Sequence, residues 1–303
     1  MIRRSDILLL DVGGTFIKCS DGRCIPMPSG GSREQIAHAL RAAVSRPDGT
    51  GPREAESFTP SGECFPQPGT TPQPAPRRIG VAIPGPFEYA DGVFLMRHKF
   101  AAVYGESFRT LAGLPEDTEL RYMHDVVAAL EGALSDPAGL VRETALVTIG
   151  TGLGFAHTQG GRVQVGPTGS PARSIYNLPC GGGILEDAVS ARGLRTAYVR
   201  LGGRTDLSAA QIAQTAFGGD ERAMQAFSEM GGTLGDVLAP LLEELSVGIL
   251  LLAGQVSRSL SLFERPLRNA LDGIDVRLAP EGAVFRGLAA RWDTPDGFDT
   301  TQR

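Results

Sequence analysis

Aromatic residues make up only 6% of the 303-residue chain, with a single tryptophan, 4 histidines and 4 cysteines. Cys19, Cys24, Cys64 and Cys180 show no metal-type clustering, which argues against a zinc ribbon or a disulfide scaffold. Cys19 and Cys24 fall where two neighbouring strands are expected, yet reduced thiols are the reading adopted. Long apolar runs are missing: even residues 241–253 are interrupted by Glu243, Glu244 and Ser246. No membrane span is expected, and the N-terminus lacks a secretory pattern. An excess of basic charge is missing as well. The formal net charge of -5 gives no overall attraction to a nucleic-acid backbone or an anionic membrane. These exclusions leave a small-molecule partner and a cytoplasmic location. The 42% hydrophobic and 21% charged residues fit a globular protein, and the length suits two lobes better than one core.

Glycine is plentiful, at 40 residues, and two clusters of it carry the most information. Asp11-Val-Gly-Gly-Thr15 follows the apolar run Leu8-Leu9-Leu10, and Thr148-Ile-Gly-Thr-Gly-Leu-Gly154 follows Ala145-Leu146-Val147. A buried strand that breaks into Gly-Gly-Thr or Gly-Thr-Gly presents backbone N–H groups and a hydroxyl to an anion. Two such turns, with Asp125 between them in the sequence, point to a cleft that holds polyphosphate from both sides and has a base ready for an acceptor.

Around these turns the pattern alternates between strand and helix. A hairpin is expected through Asp21-Gly22, then a helix capped by Ser32 with Ile36, Ala37, Leu40, Ala43 and Val44 on its buried face. Residues 47–76 turn to Pro, Gly, Ser and Thr and read as an inserted surface loop, with a substrate lid as the alternative. A strand at 78–83 stops at Pro84-Gly85-Pro86, a stiff bend of the kind found where open α/β sheets carry ligand loops. A short helix is expected at 107–111, and a strand at 120–123 delivers His124-Asp125 into a helix over 126–134. In the second half the spacing predicts a strand at 145–149, a hairpin through Gly160-Gly161, and a helix over 184–191. Further helices are expected at 207–217, 221–245 with a small-residue break at Gly231-Gly232 that lets something approach the backbone closely, and 263–271, and a strand at 247–252. Strand, glycine turn and hairpin recur in both halves, which suggests two related lobes.

In order, Asp11-Val-Gly-Gly-Thr15, Ile83-Pro-Gly-Pro86, His124-Asp125, Gly150-Thr-Gly-Leu-Gly154, Glu186-Asp-Ala-Val-Ser-Ala-Arg-Gly-Leu194 and Leu252-Ala-Gly-Gln-Val-Ser257 resemble the ROK family of sugar kinases and sugar-responsive repressors. The resemblance runs from about Leu8 to about Ala290. It implies a two-lobed α/β actin-like ATPase (ribonuclease H-like) fold with the active-site cleft between lobes. The small lobe would take 1–122 plus 290–303 and the large lobe 123–289, with residues 281–291 as a closing helix. The implied activity is ATP-dependent phosphorylation of a hexose or hexose derivative, probed first at the 6-hydroxyl, with ATP and Mg²⁺ as cofactors and a homodimer as the assembly. The alternative is a nucleotide- or sugar-binding sensor without turnover. Family repressors carry a helix-turn-helix domain ahead of the first glycine turn, and ten residues precede Asp11 here, which argues against that third reading.

Phosphoryl transfer needs in-line positioning, charge neutralisation and a group to take the hydroxyl proton. The resemblance assigns the last role to Asp125; the plain alternative is a helix cap. Asp11 would hold Mg²⁺, through water, or else be tied to nearby N–H groups. Gly13, Gly14 and Thr15, with Gly150, Thr151 and Gly152, would contact phosphates, and Gly231, Gly232 and Gly254 would leave space for adenosine. Gln255 stands where the family has another glycine. His124, Glu186, Gly85 and His98 are the candidate sugar contacts, although His124 stands where the family has Asn and reads equally as a packed histidine. Glu186 has a helix-dipole alternative. Lys18 and Lys99 are read as solvated rather than phosphate-binding. The family's zinc signature is reduced to Cys180, with Ser170 at its His position, so no zinc site is expected. Its Glu-x-Gly-His sugar element corresponds to Pro167-Thr-Gly-Ser170.

Overall fold

The structure is a computed structural model that describes residues 7–45, 76–135 and 142–293. Cys64 and all of the inserted stretch except Pro76 lie outside the described residues. The chain forms two compact units. One runs to Ala128 and takes in Gly166–Ser170 and everything from Val284 on; the other holds Ala129–Val165 and Pro171–Ala283.

The first unit contains β1 (Ile7–Val12), β2 (Phe16–Cys19), β3 (Cys24–Pro26), α1 (Arg33–Val44), β4 (Arg78–Ile83), β5 (Phe87–Glu88), β6 (Val93–Phe94), α2 (Phe108–Ala112) and β7 (Glu119–His124), with α3 (Asp125–Leu134) leading out of it. Its sheet has the order β3-β2-β1-β4-β7, with the first three strands antiparallel and β1, β4 and β7 parallel. The buried runs Leu8 to Leu10 and Ile79 to Ile83 show why: a parallel strand covered on both faces has no polar alternation. Helix α1 begins with a capping box in which Ser32 accepts from the Gln35 N–H and Gln35 returns the bond.

The second unit contains β8 (Thr144–Ile149), β9 (Leu153–Gln159), β10 (Arg162–Val163), β11 (Pro179–Cys180), β12 (Gly183–Ile184), α4 (Leu185–Ala188), α5 (Ala191–Arg200), α6 (Ala209–Phe217), α7 (Glu221–Glu244), β13 (Ile249–Ala253), α8 (Glu264–Ala270) and β14 (Asp275–Leu278), followed by α9 (Ala283–Asp293). Its sheet runs β10-β9-β8-β13-β14, again with three antiparallel strands and then two parallel additions. Both sheets therefore share one strand order and one pattern of directions.

Two local expectations need correction. The helix over 184–191 is broken: Val189 leaves the helical region, and Ser190 starts α5 with its hydroxyl accepting the Gly193 N–H. The break expected at Gly231-Gly232 is absent, because α7 runs unbroken for 24 residues. The close approach expected there is present at Gly231. A Cβ there would lie 2.6 Å from the Phe263 carbonyl oxygen, so the glycine lets α8 close on α7. The short strand β14 had no counterpart in the sequence pattern.

From Val284 on, α9 packs against the first unit's sheet. Arg121 lies 4.3 Å over the Trp292 ring and donates to the Arg291 carbonyl. A Cβ on Gly80 of β4 would meet Trp292 Nε1.

Candidate active site

Asp11 and Asp125 come to the carboxyl ends of β1 and β7, the strands on either side of β4, through sheet register. Asp11 pairs with Ala82 of β4, Ala82 with Met123 of β7, and Asp125 follows two residues on. Ligands of open α/β sheets gather at such strand ends. Across β2, Lys18 is the register partner of Asp11, and its ammonium lies 3.3 Å from Asp11 Oδ2. Burial raises the Asp11 pKa, Lys18 lowers it, the Asp125 charge raises it again, and the result is a raised value. An acid held up by burial and by a second carboxylate is a group suited to a cation. Among the described residues no cluster of three or more His, Cys, Asp or Glu forms a metal site. A single carboxylate of this kind fits Mg²⁺, which keeps most of its water.

Asp125 opens α3 with its side chain 34% exposed. Its Oδ1 accepts from the Val126 N–H at 2.7 Å and lies 2.8 Å from His124 Nδ1. The other ring nitrogen, Nε2, accepts the Gly85 N–H at 3.3 Å, and Nδ1 lies 3.3 Å from the Val126 N–H as well. Both nitrogens of His124 are thus engaged by the protein. Oδ2 of Asp125 makes no hydrogen bond among the described residues. Burial raises the Asp125 pKa, but His124, the Val126 N–H and Lys99 outweigh it and leave the carboxyl below its ordinary value. One oxygen is anchored and the other is left to accept a proton.

Tyr89 backs this pair. Its ring centroid lies 6.0 Å from that of His124, its hydroxyl donates to the Ile83 carbonyl, and burial together with the Asp125 charge pushes its pKa up. Against the other side of Tyr89 lies Gly169, at φ 84, so the Pro167-Thr-Gly-Ser170 element reaches this site through Tyr89. Tyr89 carried no signal in the sequence beyond its alternation with Phe87.

The glycine turns close the β1–β2 and β8–β9 hairpins. In each, the first glycine is used up internally: Gly13 donates to the Phe16 carbonyl and Gly150 to the Gly152 carbonyl. The N–H groups of Gly14, Thr15, Thr151 and Gly152 donate no hydrogen bond among the described residues. These donors are left for an anion. At Gly14 a Cβ would come within 3.3 Å of Ser29 Oγ and 3.6 Å of Lys99 Cδ, filling the cradle; beside Gly150 no protein atom lies within 4 Å of the same point.

In the second unit Glu186 sits in the first turn of α4, and its Oε2 accepts the Leu153 N–H at 2.9 Å, which ties α4 to the residue after the Gly150 turn. The Ala191 N–H donates to the Gly150 carbonyl from the start of α5. Gly254, at φ 93, ends β13 so close to β8 that a Cβ would lie 2.3 Å from the Ile149 carbonyl oxygen. Gly232 is half-buried on α7, while the space beside Gly231 is filled by Phe263. Cys180 is half-buried on β11 and packs against the second unit's core. His98 is exposed in the bend before Lys99.

The ROK family model matches residues 73–283. The chain belongs to the ROK family. Its α/β fold is the actin-like ATPase fold of the ROK kinases. A search of curated protein sequences found no match. Among solved structures, a ROK family glucokinase of Streptomyces griseus in complex with glucose and AMPPNP is similar at 22% identity and a TM-score of 0.67, over 93% of this chain and 98% of that one. The ROK hexokinase of Thermus thermophilus is 22% identical with a TM-score of 0.61, over 93% and 96%. A ROK family transcriptional regulator, a homologue of the E. coli MLC protein, is 17% identical with a TM-score of 0.62, over 93% of this chain and 76% of that one. At these identities the likeness is one of fold. No helix of this ROK protein, among the described residues, is long and apolar enough to cross a membrane.

Proposed function

We propose that this ROK protein transfers the γ-phosphoryl group of ATP to a hydroxyl of a hexose or hexose derivative, the 6-hydroxyl being the first to test, with Asp125 as general base. The observation that carries the reading is the split of Asp125, whose Oδ1 is held by the Val126 N–H beside His124 Nδ1 while Oδ2 makes no hydrogen bond among the described residues. A carboxylate held by one oxygen can take a hydroxyl proton on the other without moving, at the moment the oxygen attacks phosphorus. Its lowered pKa keeps it ionised and ready.

Gly14 and Thr15 would receive phosphate oxygens on their unused N–H groups, and in the second unit Thr151 and Gly152 would do the same, with Gly232 and Gly254 leaving room for adenosine. Asp11 would hold Mg²⁺ through water. The ion supplies charge neutralisation for the phosphates when bound. The glucose and AMPPNP complex of the Streptomyces griseus glucokinase supports both the acceptor class and the donor.

The sugar contacts depart from the Asn and the Glu-x-Gly-His of the resemblance, and this favours one second reading, a sensor that binds ligand without turnover. A coupled ADP-release assay with Mg-ATP across hexoses, amino sugars, N-acetylated sugars and polyols separates the two. We expect turnover with one sugar class, reduced about a hundred- to ten-thousand-fold in Asp125→Asn. Sugar-dependent stabilisation in thermal melts with no ADP formed from any of these acceptors would favour the sensor.

A further inference from the structure

Lys99 is a cation beside the Gly14 turn whose commitments the fold leaves open. Lys18 is paired with Asp11, and Arg97 lies 4.2 Å over the Tyr104 ring. Among the described residues Lys99 makes no hydrogen bond and no ion pair, although it is half-buried. Its Cδ and Cε run past Gly14, 3.6 and 3.8 Å from where a Cβ would stand. The ammonium is one bond beyond Cε, so it sits beside the turn whose Gly14 and Thr15 N–H groups are also without partners. Its charge also contributes to holding the Asp125 carboxyl below its ordinary value.

The backbone holds it there at a cost. Phe100, the next residue, has φ 54 and ψ 23, the left-handed region that a bulky side chain rarely adopts. It is locked by a fully buried ring packed on Phe94 and by its N–H, which donates to the Ser29 carbonyl at 2.7 Å. Ser29 itself adjoins Gly14. Strain kept at a residue that stitches the lysine's bend to the glycine turn is best explained by the position it gives the lysine.

We propose that the Lys99 ammonium binds the phosphoryl group during its transfer and is a catalytic residue, an inference that rests on the kinase reading above. In the step, the sugar oxygen forms a bond to phosphorus and the bond from phosphorus to the bridging oxygen of ATP breaks. The hydroxyl proton passes to Asp125, and the electron pair leaves with ADP. Lys99 keeps its proton throughout and neutralises charge on the peripheral oxygens, which are placed between the Gly14 turn and Asp125.

The test is calorimetric binding of Mg-ATP and Mg-ADP to the wild type, Lys99→Met and Lys99→Arg, followed by steady-state kinetics. In Lys99→Met we expect ATP affinity to fall about tenfold while ADP affinity changes little, because the lost contact is to the γ-phosphoryl group. We expect kcat to fall about a hundred- to thousand-fold at unchanged sugar KM. Lys99→Arg should recover part of both effects, and Gly14→Ala, which crowds the lysine stem, should reproduce them with Lys99 present. If the wild type binds both nucleotides and the ratio of their affinities is the same in Lys99→Met, the inference is wrong while the kinase reading stands. A wild type that binds neither nucleotide overturns both. A Lys99→Met protein that melts early is judged on Lys99→Arg, whose full recovery of stability without recovery of the affinity ratio would also overturn the assignment.

Discussion

Asp11 and Asp125 carry the same charge, stand at strand ends on either side of β4, and shift in opposite directions. The difference lies in their partners. Asp125 receives a backbone N–H and has the His124 ring nitrogen 2.8 Å from the same oxygen, whereas Asp11 has the half-exposed Lys18 against its burial. Without a cation, an ionised Asp11 is a destabilising group, so Asp11→Asn should raise the thermal midpoint of metal-free protein at neutral pH while abolishing phosphoryl transfer. A midpoint that falls instead would show Asp11 to be a structural anchor. For Asp125 the sign runs the other way. Its folded pKa is depressed, so its stabilising contribution is present above the ordinary carboxyl value and is lost as pH falls through the depressed one. The acid limb of kcat/KM should therefore lie below the ordinary carboxyl range. In His124→Ala, which removes the imidazole that helps lower the Asp125 pKa, the limb should move up, and His124→Asn, able to donate from its amide, should move it back. Both aspartates were legible in the sequence because each ends an apolar strand. The engagement of both His124 nitrogens was not, since Gly85 is 39 residues away and meets the ring only through the pairing of Ile83 with His124.

At the level of elements, turns were read well and helix interiors less so. The Asp-Gly and Gly-Gly hairpins announce themselves through backbone freedom, a local property. That a neighbour comes close at Gly231-Gly232 was legible, whereas the helix running on unbroken depends on Phe263, which the local pattern does not contain. In α7 the neighbour won: packing against α8 outweighs the propensity cost of glycine. Gly231→Ala should accordingly destabilise the protein by about 1–3 kcal/mol, despite alanine's better helix propensity, as measured by urea unfolding. A stabilised variant would mean that α8 shifts freely. The opposite error fell at 184–191, where continuous helix was expected. Gly193 comes so near the Ala188 carbonyl, 2.5 Å for a Cβ, that α4 and α5 form a tight corner rather than one rod. Strand β14 escaped notice because Val276 is its single fully buried residue and offers no alternation to read.

Across the whole molecule, two sheets share the order of three antiparallel strands followed by parallel additions, yet the sequence betrays the repetition only at the glycine turns. The reason is physical. Buried positions tolerate any apolar residue of suitable volume, whereas a turn that must present N–H groups to an anion tolerates little besides glycine. The single tryptophan, Trp292, belongs to the first unit, so its fluorescence reports that unit alone while far-UV circular dichroism reports both. Arg121→Ala removes the guanidinium stacked on the ring and should lower the stability seen by fluorescence by about 0.5–2 kcal/mol. Equal shifts in the fluorescence and dichroism midpoints would show that the two units unfold as one.

The placement of α9 also sets an order of events during synthesis. Strands β1, β4 and β7 leave the ribosome early, but the helix that covers Gly80 is separated from β4 by about 200 residues, all of the second unit among them. At roughly 5–20 residues per second that interval is on the order of ten to forty seconds. The second unit has every strand and helix of its own before α9 emerges. The half of the molecule that is translated first is therefore completed last, and until then the nascent chain carries an uncovered face of its first sheet.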